Sequence, residues 1–150
     1  MSQSLANILL HIIFSTKNRN SYIDENVESE LYAYISSISL SHKSYVHKIG
    51  GTDDHIHLFL TLPRTLSTSD LVEEIKKNSS KWIKTKDKKY RQFSWQKGFG
   101  AFSVSASQHD VVVKYIANQK KHHKKHSFQD EYRKFLELNN IPYDERYVWD

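Results

Sequence analysis

The 150-residue chain contains no cysteine. That excludes disulfides and thiolate metal sites, leaving His, Asp, Glu and amide oxygen as the only ligand types for any metal. No apolar run approaches the roughly 20 residues needed to cross a bilayer. The N-terminus also lacks a charged stretch followed by an apolar one and a cleavage site. The chain is therefore expected in the cytoplasm, with no membrane partner. There is no internal repeat, no low-complexity tract and no linker long enough to divide it, so one domain over residues 1–150 is expected, large enough to bury a real core.

What the chain has in excess is positive charge, +5 at neutral pH. Its distribution says more than its total. Residues 76–91 hold eight basic side chains and one acid, Asp87; residues 114–125 add five lysines and no acid. Acids gather mainly in residues 24–30 and from Asp130 onward. Such segregation points to a face for a polyanion, with Lys76, Lys77, Lys81, Lys84, Arg91, Lys120 and Lys121 as candidate phosphate contacts, although each run alone reads equally well as a solvated helix face. Trp82, Tyr90, Phe93 and Trp95 interleave with the first run, which favours unpaired nucleic acid whose bases stack on aromatic rings. The same rings would serve as core.

Hydrophobic periodicity gives a coarse element order. Residues 8–14 read as a strand, and residues 25–41 as an amphipathic helix on Val27, Leu31, Tyr34, Ile35 and Ile38, with Asp24 as N-cap. Residues 44–49 and 55–62 make a hairpin across Gly50-Gly51-Thr52-Asp53-Asp54, ended by Pro63. Thr68, Ser69 or Asp70 caps a second helix through Leu71, Ile75 and Trp82. Residues 85–96 read as a basic loop or short helix, and residues 99–105 as a further strand. A helix from Val111 to His123, with Ser107 as a candidate cap, and another over residues 128–139, stopped by Asn139-Asn140, complete the chain. The order βαββαβ plus two helices predicts an α+β fold of the ferredoxin-like split type, an antiparallel sheet with helices on one side.

Two patterns on this frame carry chemistry. In Asp54-His55-Ile56-His57-Leu58-Phe59 the two histidines are two apart on a strand, so both imidazoles leave by one face and can share a metal ion. Further on, Tyr115, Gln119 and His122 follow i, i+4, i+7 spacing and line one helix face. Either pattern alone has a plainer explanation, a solvated strand face or a core-rim tyrosine. Their conjunction is what stands out.

These two motifs, with His11-Ile12-Ile13-Phe14-Ser15-Thr16-Lys17-Asn18-Arg19, the Gly51-Thr52-Asp53-Asp54 lead, Trp95-Gln96-Lys97-Gly98-Phe99-Gly100-Ala101-Phe102-Ser103-Val104-Ser105 and the ending Asp144-Glu145-Arg146-Tyr147-Val148-Trp149, resemble the single-tyrosine transposases of the HUH class. The resemblance is strongest to the insertion-sequence-200-like and REP-associated branch. Phe99, where that branch has tyrosine, is a departure. The resemblance implies the ferredoxin-like fold, with the catalytic tyrosine, Tyr115, on a C-terminal helix. It implies one divalent cation, Mg or Mn, held by His55, His57 and the amide oxygen of Gln119. It also implies cleavage and rejoining of single-stranded DNA, expected as a hairpin, through a 5′-phosphotyrosine. Members work as homodimers or as monomers, and both arrangements stay open.

The remaining histidines carry less. His122 is a candidate auxiliary group on the Tyr115 face. His122 and His126 are four apart but have no carboxylate at a matching position in residues 120–127, so a zinc site there ranks below a basic surface. His11 reads as a family position or a satisfied core histidine, and Asp53 and Asp54 as turn residues or as groups that orient an imidazole. Two other function classes fit the same features. A noncatalytic nucleic-acid binder would dispense with His55, His57 and Tyr115, and a water-using metal nuclease would dispense with Tyr115 alone.

Overall fold

The structure is a computed structural model and describes residues 2–150. Its strands are β1 (Leu9–Ser15), β2 (Val46–Gly51), β3 (His55–Thr61) and β4 (Gly100–Val104). They form one antiparallel sheet in the order β2-β3-β1-β4. The helices are α1 (Glu28–Ser41), α2 (Thr68–Lys84), α3 (His109–Ala117), α4 (Gln119–His122) and α5 (Phe128–Leu138). Order and pairing are those of the expected ferredoxin-like fold.

Strand alternation decides which side chains meet which helices. Leu10, Ile12 and Phe14 of β1 join Ile56, Leu58 and Leu60 of β3 under α1 (Leu31, Ile35, Ile38) and α2 (Leu71, Val72, Ile75, Ile83). Full burial of each such side chain stabilises by roughly 1.5–3 kcal/mol, so this layer holds the fold. The helices are not confined to that side. Ile13 and Phe102 pack against Phe128, Tyr132 and Leu136 of α5, while Leu9 and Phe59 pack against Ile116 of α3. The physical reason lies in β1 and β3, whose second face also carries apolar side chains, Leu9, Ile13 and Phe59, and so needs cover too.

Gly50 and Gly51 make two close approaches possible. A Cβ on Gly50 would stand 2.7 Å from the carbonyl oxygen of Ile116, and one on Gly51 2.1 Å from that of His55. The first lets the tyrosine-bearing helix lie against β2; the second closes the β2–β3 hairpin.

Local details depart from the sequence expectations in five places. α1 begins at Glu28 after Val27, and Asp24 instead turns the chain before it, accepting from the backbone N–H of Asn26 and from the Tyr90 hydroxyl. Ser67, one residue earlier than expected, caps α2 by accepting from the N–H of Asp70 at 3.1 Å. Ser107 caps nothing; Gln108 occupies the N-cap of α3 without a side-chain bond. The expected helix from Val111 to His123 is two helices, broken at Asn118, whose backbone leaves the helical region at φ −99°, ψ 16°. Residues 85–96 contain a single 3-10 turn, Lys88–Tyr90, and the aromatics proposed to stack on bases are largely core: Tyr90, Phe93 and Trp95 are buried, and Trp82 stacks on Tyr34.

Candidate metal and nucleophile site

The second face of the sheet carries polar groups in its middle. β1 and β3 pair with Ile13 opposite His57 and His11 opposite Phe59, so His11, His55 and His57 project together into the space roofed by α3, α4 and α5. All three are buried. The Nδ1 of His55 lies 2.8 Å from the Asp54 carboxylate and 3.0 Å from the Thr52 hydroxyl. Asp54 thus orients the imidazole as well as forming the turn. The Nδ1 of His57 lies 2.7 Å from the Nε2 of His11, which gives His11 a partner in the site.

The break at Asn118 keeps Tyr115 and Gln119 pointing at these histidines. The Oε1 of Gln119 is 3.1 Å from the Nε2 of His55, and the Tyr115 ring is 5.8 Å from that of His57. Both contacts lie within one chain. His122 is at the rim, its ring 5.7 Å from Tyr115.

Two residues at the centre were not singled out from the sequence. Glu131, 5% exposed, reaches in from α5, and its Oε1 lies 3.0 Å from the Nε2 of His57, 3.0 Å from that of His123 and 3.6 Å from that of His55. Its Oε2 accepts from the Tyr115 hydroxyl and, at 3.1 Å, from the Gln119 amide. His123, at the C-terminal end of α4, anchors its Nδ1 at 2.7 Å on the carbonyl of His126. Ligand atoms of His55, His57, His123 and Glu131 all lie within 4.8 Å of one another.

The donor set fits a cation. With the Nδ1 of His55 against Asp54 and that of His123 against the carbonyl of His126, the Nε2 of His55 faces the Gln119 amide oxygen at 3.1 Å and the Nε2 of His123 faces Glu131 at 3.0 Å. A proton on the nitrogen satisfies each contact, and so does a metal ion shared between nitrogen and oxygen. Metal-bound imidazoles characteristically donate their other N–H to a carboxylate or carbonyl, and the Nδ1 atoms of His55 and His123 each lie within hydrogen-bond distance of such an oxygen. Donors bound about 2.0–2.2 Å from a shared ion stand about 3 Å apart when adjacent, which is the spacing found.

Electrostatics agree with this wiring. Burial lowers His57 to about 4 against the pull of Glu131, and burial with neighbouring His57 lowers His11 to about 3, so both are neutral at pH 7. Burial opposes ionisation of Glu131, yet hydrogen bonds from His123 and His57 hold its carboxyl far below the usual range. Tyr115 is driven well above its ordinary value, first by burial and then by the Glu131 charge. Its phenol is therefore a proton donor in this state.

The basic residues are less segregated in space than in sequence. Lys86, Lys89 and Lys120 pair with Glu30, Asp24 and Glu28 in and before α1. Lys76 points inward, its ammonium donating to the carbonyls of Gln96 and Gly98 at 2.9 and 2.7 Å, which removes it from the candidate phosphate contacts; burial brings it down to about 8. Lys77 pairs with Glu74. Lys81, Lys84, Arg91 and Lys121 are exposed, and Lys84 and Arg91 line a groove with Lys17, Tyr22 and Phe93. A second groove of about 630 Å³, bounded by Asp54, Lys120, His123 and Lys124, opens beside the site.

The fold is one found in transposases. A candidate transposase from Deinococcus radiodurans R1 superimposes with a TM-score of 0.61 at 20% identity over 79% of this chain and 98% of its own. A REP-associated tyrosine transposase bound to a REP hairpin gives 0.60 at 19% identity over 82% of this chain and 74% of its own. No curated protein matches. Residues 4–119 match the family described as Transposase IS200 like, and the chain belongs to that family. Among the described residues no helix is long and apolar enough to cross a membrane.

Proposed function

We propose that the protein cleaves and rejoins single-stranded DNA, using Tyr115 as nucleophile beside a divalent cation. The observation that carries this reading is the meeting of the Tyr115 hydroxyl, the Gln119 amide and the imidazoles of His55 and His57 within one buried cluster of a single chain. His55, His57 and the amide oxygen of Gln119 would hold the ion, Mg or Mn, which supplies Lewis-acid polarisation of a phosphate. The Tyr115 phenol gives up its proton and forms the new O–P bond as the P–O3′ bond breaks, and the departing 3′ oxygen takes up a proton, leaving a 5′-phosphotyrosine and a 3′-hydroxyl. The covalent link retains a phosphodiester, so a second 3′-hydroxyl can attack it and rejoin strands without a nucleotide cofactor. Gln119, bonded to both His55 and Glu131, fixes the phenol's surroundings. His122 at the rim is placed to assist proton transfer.

A hairpin substrate is supported by the REP hairpin carried by the structural relative. Lys81, Lys84, Arg91 and Lys121, with Lys77 and Lys120 contributing weaker, paired charge, would hold its backbone. The test is incubation with labelled single-stranded hairpin DNA and Mn, resolved on a denaturing gel. A covalent protein–DNA band that disappears with Tyr115→Phe and with chelator is expected. Cleavage that survives Tyr115→Phe would point to a water-using nuclease, and binding without cleavage to a noncatalytic binder.

A further inference from the structure

Glu131 is the feature of this site that the family resemblance does not account for. It lies beyond residue 119, where the family match ends. It occupies the apolar stripe of α5, between Phe128 and Tyr132, where an acid is expensive to bury unless compensated. No lysine or arginine compensates it; its salt-bridge partners are His55, His57, His122 and His123. Of these, His123 has its Nδ1 at 2.7 Å from the carbonyl of His126, which aims its Nε2 at the carboxylate, 3.0 Å away, among ligand atoms that all lie within 4.8 Å of one another.

We propose that Glu131 and His123 are metal ligands joined to His55 and His57, and that the second carboxylate oxygen of Glu131 holds the Tyr115 phenol beside the ion. The inference rests on the metal-dependent reading above and deepens it. The division of labour between the two oxygens supports it. Oε1 faces three imidazole nitrogens at 3.0–3.6 Å, while Oε2 accepts from the phenol and from the Gln119 amide. A carboxylate in that position couples the nucleophile's place to the ion's, making Glu131 a positioning residue for Tyr115. A third imidazole beside His55 and His57 makes the donor set richer in nitrogen, so of Mg and Mn the site should favour Mn.

The test uses DNA-free full-length protein and metal alone. Calorimetric titration with Mn is expected to show one ion per wild-type chain and none for His57→Ala. Glu131→Gln and His123→Ala should each weaken binding at least about 10-fold, with circular dichroism confirming that they fold. Co in place of Mn supplies a second readout: the visible absorption band of the bound ion should shift in Glu131→Gln and return toward the wild-type position in Glu131→Asp. A merely structural carboxylate would move neither. If Glu131→Gln does not fold, Glu131→Asp and His123→Ala carry the same comparison. Unchanged affinity and an unchanged Co spectrum in Glu131→Gln would remove Glu131 from the ligand set while leaving His55 and His57 in place. The proposal would also fall if Glu131→Gln cleaved DNA faster at unchanged affinity, because the carboxylate would then be occupying the phosphate's position. A wild type that binds no ion would overturn this inference and the metal-dependent reading together.

Discussion

β3 presents Ile56, Leu58 and Leu60 to α1 and α2 on one face of the sheet and His55, His57 and Phe59 to the opposite helices on the other, and all six are buried. On the first face burial works through area: apolar groups leave water and pack. On the second it works through mutual satisfaction. Each imidazole has a partner for both nitrogens, and the one buried carboxylate is surrounded by donors. Equal exclusion of water therefore produces stability on one side and a strongly polarised cluster on the other.

The sharpest way to separate the faces is to cut each in turn. Leu58→Ala should cost about 2–5 kcal/mol in chemical denaturation, because the cavity opens in the layer beneath α1 and α2, while the molecules that remain folded keep their metal stoichiometry. An equal loss of metal binding by the folded fraction would mean that the two faces are not separable.

Acid should act on the polar face first. His57 and His11 are neutral in the folded chain down to about pH 4 and 3, whereas in the unfolded chain they take up protons near 6.5. Between those values the unfolded state binds more protons, so their contribution, full above 6.5, is lost as pH falls through about 4. Glu131, whose folded value is depressed, adds a loss of the same sign below 4.5. His123, raised by Glu131 despite its burial, contributes in the opposite sense, most below 6.5. The net expectation is a falling denaturation midpoint between pH 6.5 and 4, and saturating Mn should oppose it at the upper end of that window. A midpoint flat across this range would break the contrast between the faces.

The smallest effect tests the roof alone. Ser127 caps α5 through the N–H of Asp130 at 3.1 Å, and Ser127→Ala should cost about 1 kcal/mol. Its mark should be faster amide exchange in α5, with α1 and α2 unchanged.

Much of this arrangement was readable from residue order. The strands, the His55–His57 pair and the convergence of Tyr115 with Gln119 follow from periods of 2 and 3.6. Glu131 was not read, because an acid in the first turn of a helix normally complements the helix dipole in solvent. The available signal was its place in the stripe Phe128, Glu131, Tyr132, Phe135, Leu136, the spacing of a buried face. His123 was hidden by the break at Asn118, which turns the chain after Tyr115 by an amount no periodicity encodes. The clustering of lysines also misled, since sequence separation gave no hint that α1 and the turn before it would pair with Lys86, Lys89 and Lys120.

His55 and His57 belong to an interior strand, hydrogen-bonded to β1 on one side and β2 on the other, whereas His123 and Glu131 hang from helices at the chain's periphery. The two halves of the cluster should therefore keep different time. Strand amides exchange with deuterium only when the whole molecule opens, while the roof can lift and close many times in between. On the proposed reading, the substrate would be admitted and released without the sheet giving up its hold on the two histidines.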